Sequence, residues 1–164
     1  MSDLKNVAAA VAAALKARGE TVAVSESSAG GLISAALLAE PGASAFFVGG
    51  AVVYTAAARE ALLGVTPADM DGMRSASEPY AQLLAATIRR RLGTDWGLAE
   101  TGAAGPAGNR YGDAAGHACL AVSGATGRVT TLETGSADRT GNMDVFATAA
   151  LALLREALAA VKPA

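Results

Sequence analysis

The chain has 164 residues, 52% apolar but only 4% aromatic, with 13 basic and 15 acidic side chains and a net charge of −2. That length suits one ordinary domain with a real core, and the slightly acidic balance excludes the electrostatic footprint of a nucleic-acid or anionic-membrane binder. One cysteine, Cys119, excludes an intramolecular disulfide framework and a cysteine-based metal cluster, and no apolar run reaches the ~20 residues that span a bilayer.

The alanine-rich N-terminus is framed by Asp3 and Lys5 at one end and Lys16 and Arg18 at the other. It reads as a capped amphipathic helix over residues 3–18 rather than a signal peptide, so a cytoplasmic location is expected. Gly19 stops it, as glycine commonly does. "TVAVS" then reads as a strand, and Gly30-Gly31 leads into a helix running to about Ala39. "FFVGGAVVY" is strand-like, its glycine pair marking a bend or a close backbone approach. "AAAREALLG" is a short helix, and Thr66 with Pro67 caps another turn. Ser77, Glu78 and Pro79 open a longer helix that Gly93 closes, with Tyr80, Leu84, Ile88 and Leu92 on one face. Its basic end, Arg89 to Arg91, suits the helix dipole. "DWGLAE" is a strand, "TGAAGPAGNRYGDAAG" a glycine-rich loop, and "HACLAVS" and "RVTTLET" a hairpin around "GATG". A last helix is predicted over about residues 142–161.

Alternating helix and strand signals, without repeat or linker, predict a single α/β domain over residues 1–164. Helices should cover both faces of a mixed, mainly parallel sheet in three layers. In such sheets ligands bind beyond the carboxyl ends of the strands. "ESSAGG", "YTAAARE" and "TGAAGPAG" each follow a predicted strand, so all three can meet there. A serine before Gly-Gly at a helix start can expose its hydroxyl beside N–H donors for a phosphate or an oxyanion. Ser27 or Ser28 acting only as a helix cap is the competing reading.

In order, "ESSAGG", "GGAVVYTAAAREALLGV", "SEPYAQLLA" and "TGAAGP", followed by "GSADR", resemble the C-terminal domain of the CinA proteins. That family includes competence/damage-inducible proteins and stand-alone nicotinamide mononucleotide deamidases. Its usual runs are ESCTGG, YSNEAKxxLLGV, VSEEVAxxMA, TGIAGP and PGDR. The resemblance covers about residues 7–158, and no counterpart of the large N-terminal domain of longer members is expected. It implies a nicotinamide-nucleotide amidohydrolase that converts nicotinamide mononucleotide to nicotinate mononucleotide and ammonia, using no metal or cofactor. By position, the implied catalytic set is Ser27 as nucleophile, Tyr54, and Arg59 at the place of the family's lysine base. Gly30, Gly31, Thr101, Gly102, Gly105 and Arg139 are the implied substrate contacts. The expected partner is a small nucleotide, with no nucleic acid or membrane, and a homo-oligomer is expected.

The departures concern the polar positions. A guanidinium effectively never deprotonates, so Arg59 is no base, whereas a buried lysine amine can be. The only lysines are Lys5, Lys16 and Lys162, all in terminal helices. Ala56-Ala57 replaces an asparagine-glutamate pair, Met143 a basic residue, and "NRYGD" an acidic residue followed by Lys-Pro. Ser28 stands at the cysteine position. His117, Glu26 and Asp113 are left as candidate substitute bases. The alternative function is a catalytically inactive paralogue that binds a nucleotide or a protein.

Overall fold

The computed structural model describes residues 3–163. Six α-helices and five strands follow in the order α1 (Asp3–Arg18), β1 (Val22–Glu26), α2 (Leu32–Leu38), β2 (Phe47–Val52), α3 (Ala56–Leu63), α4 (Pro67–Met70), α5 (Glu78–Leu92), β3 (Trp96–Ala103), β4 (His117–Ser123), β5 (Arg128–Glu133) and α6 (Arg139–Ala159). The sheet order is β2-β1-β3-β4-β5. β1 pairs in parallel with β2 and β3, while β4 runs antiparallel to both β3 and β5. β1, β2, β3 and β5 therefore share one direction, and β4 alone opposes it. The expected mixed, mainly parallel sheet with a terminal hairpin is what forms.

Strand alternation divides the core into two layers. Val22, Val24, Trp96, Leu98, Leu120 and Val122 point toward α1, α2 and α6, where they pack with Leu15, Leu37, Phe146 and Leu154. Ala23, Ala99, Cys119 and Ala121 point the other way, toward Leu84, Ala85 and Ile88 of α5. The small side chains on that face let α5 lie close. A Cβ on Gly97 would come within 2.1 Å of the Ala85 carbonyl oxygen. The glycine pair of β2 has the same cause, since a Cβ on Gly50 would stand 2.4 Å from Ser34 Oγ of α2. Close helix approach accounts for Gly50, while Gly49 follows a one-residue register shift between β1 and β2.

Helix caps read from sequence form as expected. Ser77 caps α5 and Gly93 ends it at φ 64°, and Thr66 with Asp69 makes a capping box for α4. Two boundaries move. β3 continues through Thr101, Gly102 and Ala103, which pair with Cys119, Ala118 and His117, so the expected loop begins later. α6 begins at Arg139, three residues before Asn142.

Candidate active site

Parallel β1, β2 and β3 bring residues 27–31, 53–59 and 101–105 to one edge of the sheet. A cavity of about 250 Å³ opens there, and its wall includes Ser27, Tyr54, Arg59, Tyr80, Thr101 and Gly102. Gly105 and Arg139 line an adjoining cavity, of about 430 Å³, that shares Tyr54 and Gly102 with the first. Arg139 donates through Nη1 to the Gly105 carbonyl and through Nη2 to Tyr54 Oη at 3.4 Å.

The two serines of "ESSAGG" face different surroundings. Ser28 Oγ donates to the Glu100 carboxylate, whereas Ser27 lines the cavity and only its backbone is hydrogen-bonded among the described residues. Glu100 also accepts from the backbone N–H groups of Ser27, at 3.0 Å, and Ala29, at 2.9 Å. It is wholly buried, and that burial raises its pKa against the pull of Ser28, Ala29 and Ser27. A second buried carboxylate, Glu26, accepts from the N–H groups of Gly31, Ile33 and Ser34 at 3.1, 2.9 and 2.8 Å. The loop that carries Ser27 is thus pinned by two acids, one at the end of β1 and one within β3.

This pinning corrects the expectation of free donors at the start of α2. Gly30 N–H already bonds the Ser27 carbonyl, and Gly31 N–H is held by Glu26. Neither glycine lines either cavity, and the Glu26 carboxylate occupies the place where an anion would sit. From Ser27 to Ala35, only the N–H of Ser28 has no acceptor among the described residues. A backbone donor immediately after a nucleophile is a frequent oxyanion contact.

Arg59 donates from Nη1 to Ser75 Oγ at 3.1 Å and lies 5.2 Å from the centroid of the Tyr80 ring. Ser75 belongs to a segment held from behind by His117. The ring Nε2 of His117 lies 2.8 Å from the Ala76 carbonyl, and Nδ1 lies against the Glu133 carboxylate. Both neighbours only accept, so the arrangement favours the doubly protonated ring. Burial lowers the pKa of His117, but Glu133, the Ala76 carbonyl and Asp113 together raise it above its ordinary value. Ala76 itself is buried, has φ 55°, and donates its N–H to Thr101 Oγ1 at 3.2 Å.

The family model for the CinA C-terminal domain matches residues 4–158. The chain belongs to that family. Relatives named CinA-like protein are 42% identical over 125 residues in a Synechococcus species and 44% identical over 149 residues in Anaeromyxobacter dehalogenans. These matches cover 76% and 90% of this chain but 30% and 36% of the relatives, so it spans about a third of their length. A CinA superfamily protein of Klebsiella pneumoniae superposes with a TM-score of 0.91 at 28% identity, covering 98% of this chain and 100% of that one. The competence/damage inducible protein CihA of Agrobacterium tumefaciens gives 0.86 at 29% identity, covering 97% of each.

Within this CinA domain none of the three candidate substitute bases reaches the cavity wall. His117 is committed to Ala76 and Glu133, and Glu26 to the start of α2. Asp113 forms a two-point ion pair with Arg74 at 2.6 and 3.1 Å, which holds its carboxyl below the usual range. No lysine lines the cavity either; Lys16 bonds the Pro41 carbonyl. Sequence reasoning singled out Glu26 without its role and missed Glu100. An acid closing the apolar run "WGLA" was the available signal. Among the described residues no group of three or more His, Cys, Asp or Glu is placed to hold a metal ion, and no helix is long and apolar enough to cross a membrane.

His117 gives a pH-dependent expectation. Its raised folded-state pKa contributes stability that is fully present below its unfolded value of ~6.5 and lost as pH rises through the folded value. Urea midpoints should fall across that window in the wild type and stay flatter in His117→Thr. As the only histidine, its ring can be titrated by NMR without ambiguity. Parallel pH profiles for the two proteins would refute the assignment.

Proposed function

We propose that the cavity hydrolyses the carboxamide of nicotinamide mononucleotide. Ser27 Oγ adds to the amide carbonyl, and its proton ends on the departing nitrogen as the C–N bond breaks and ammonia leaves. Water then adds to the acyl-serine and restores the hydroxyl, giving nicotinate mononucleotide. The observation that carries this reading is the contrast between the two serines: Ser28 is tied to Glu100, while Ser27 lines the cavity unbonded. The N–H of Ser28 is the backbone donor available to the developing oxyanion. Arg59 orients substrate and opposes negative charge, but does not take the serine's proton. Arg139, which lines the adjoining cavity beside the shared Tyr54, meets the phosphate.

A second reading has its own observation. Besides Arg59, the only ionisable side chains on the wall around Ser27 are the phenols of Tyr54, Tyr80 and Tyr111. Without a base matched to neutral pH, turnover is slow, and binding without turnover is the limiting case. Ammonia release from the mononucleotide by the purified chain tests the first reading. Slow release is expected from wild type and from Ser28→Ala, and none from Ser27→Ala. Release that survives Ser27→Ala would remove the nucleophile assignment. Saturable mononucleotide binding with no release from any of the three proteins would establish the second reading instead.

A further inference from the structure

The active-site cavity does not end at Arg59. On its far side lies another cavity, of about 380 Å³, which shares Arg59, Ser75 and Tyr111 with the first. Apart from the shared Arg59, the proposed hydrolysis uses none of it. Its wall brings together three guanidiniums, those of Arg59, Arg74 and Arg110, and no carboxylate.

The charges there are unevenly matched. Arg74 is neutralised by its two-point pair with Asp113. Arg59 and Arg110 have no ion-pair partner among the described residues; their recorded partners are the hydroxyls of Ser75 and Tyr111, at 3.1 and 3.0 Å. Tyr111 organises the group. The centroid of its ring lies 5.2 Å from the Arg74 guanidinium and 5.1 Å from that of Arg110, so both cations are held beside one aromatic plane. Two uncompensated guanidiniums facing one concave surface favour a polyoxygen anion, because their planar forks match phosphoryl oxygens in pairs. The Tyr111 ring, with Met70 and Pro67 on the same wall, adds an apolar surface for a base.

We propose that this outer cavity is a second anion subsite, built for the phosphate and base of a nucleoside monophosphate. Such a group arrives either as a free nucleotide or as the remote half of a dinucleotide whose other half lies beside Ser27. The two sources share one chemistry at Arg110. The inference does not depend on what reaction Ser27 performs.

The test is a titration of the full chain with adenosine 5′-monophosphate at low ionic strength, following the arginine Nε–H NMR signals. Saturable shifts at Arg59 and Arg110 are expected, with binding at least tenfold weaker for adenosine, which lacks the phosphate. Arg110 is exposed, so Arg110→Gln leaves the core intact, and it should weaken the nucleotide about tenfold while flattening the salt dependence. Nicotinamide adenine dinucleotide separates the sources: tighter binding than either half points to a dinucleotide, and independent binding of both halves to a free nucleotide. Absence of a saturable Arg110 shift, equal affinity in Arg110→Gln, or equal affinity for adenosine overturns the proposal. None of these outcomes bears on ammonia release, which judges the Ser27 chemistry separately.

Discussion

Arg59→Lys is expected to raise mononucleotide deamidation by about 10²–10⁴-fold, the usual contribution of a positioned general base. The physical case rests on what surrounds the position. The side chain at 59 shares a cavity wall with Ser27, lies over the Tyr80 ring and reaches Ser75. An amine introduced there keeps a cation's contact with the ring but loses the fork that bonds Ser75. Arg110, which has no ion-pair partner among the described residues, lines the cavity on its other side, and nearby like charge lowers an ammonium's pKa. A fraction of neutral amine can then accept the serine's proton, which no guanidinium can do. The measurement is ammonia release per enzyme for wild type, Arg59→Lys and the double change with Ser27→Ala. The double variant should be silent. A robust wild-type rate that Arg59→Lys lowers would show that the arginine belongs to another working mechanism. No gain at all would move the explanation to Ala56, Ala57 and Met143, and favour the binding reading.

The sequence carried the fold through local chemistry. Ser77, Thr66 and Gly93 act within one turn of themselves, so the helices they bound were legible to the residue. Strand alternation was equally local. What escaped depended on distant partners. Thr101 to Ala103 looked like loop because of its glycine, and only β4 pairing across it makes it strand. The start of α6 was hidden for a related reason. Asp138 gives no side-chain cap and Gly141 interrupts the pattern, yet Asn142 pins the first turn to the Ala104 and Ser136 carbonyls at 2.8 Å. The candidate site divides in the same way. Motif order was enough to place Ser27, Tyr54, Arg59 and Thr101 around one cavity. It gave no means of seeing that Glu26 fills the expected anion position, or that Glu100 decides which serine is left unbonded. Both facts depend on where a carboxylate points once the sheet has formed.

Glu100 is therefore where the largest stability effect is expected. Glu100→Ala removes the acceptor of two backbone N–H groups and one hydroxyl and opens a hole in a fully buried region. The expected loss is about 3–5 kcal/mol, combining unsatisfied donors with the cavity. That is a large share of a typical domain's ~5–15 kcal/mol, so the variant should be partly unfolded at ordinary temperature. Glu100→Gln tests a different thing. Its amide oxygen can accept both N–H groups while its NH₂ faces Ser28 Oγ, which is also able to accept, so every bond has a replacement. What it lacks is the buried charge. Because burial raises the folded-state pKa of Glu100, its acid form stabilises the fold below the unfolded value of ~4.3, and that contribution is lost as pH rises through the folded value. Glu100→Gln has no such loss, so its stability relative to wild type should increase with pH above that point. Urea unfolding of the three proteins between acid and neutral pH reads both effects. If Glu100→Gln fell as far as Glu100→Ala at neutral pH but not at acid pH, the charge itself would be holding the Ser27 loop. If Glu100→Ala matched wild type, the three hydrogen bonds would not be what fixes the serine.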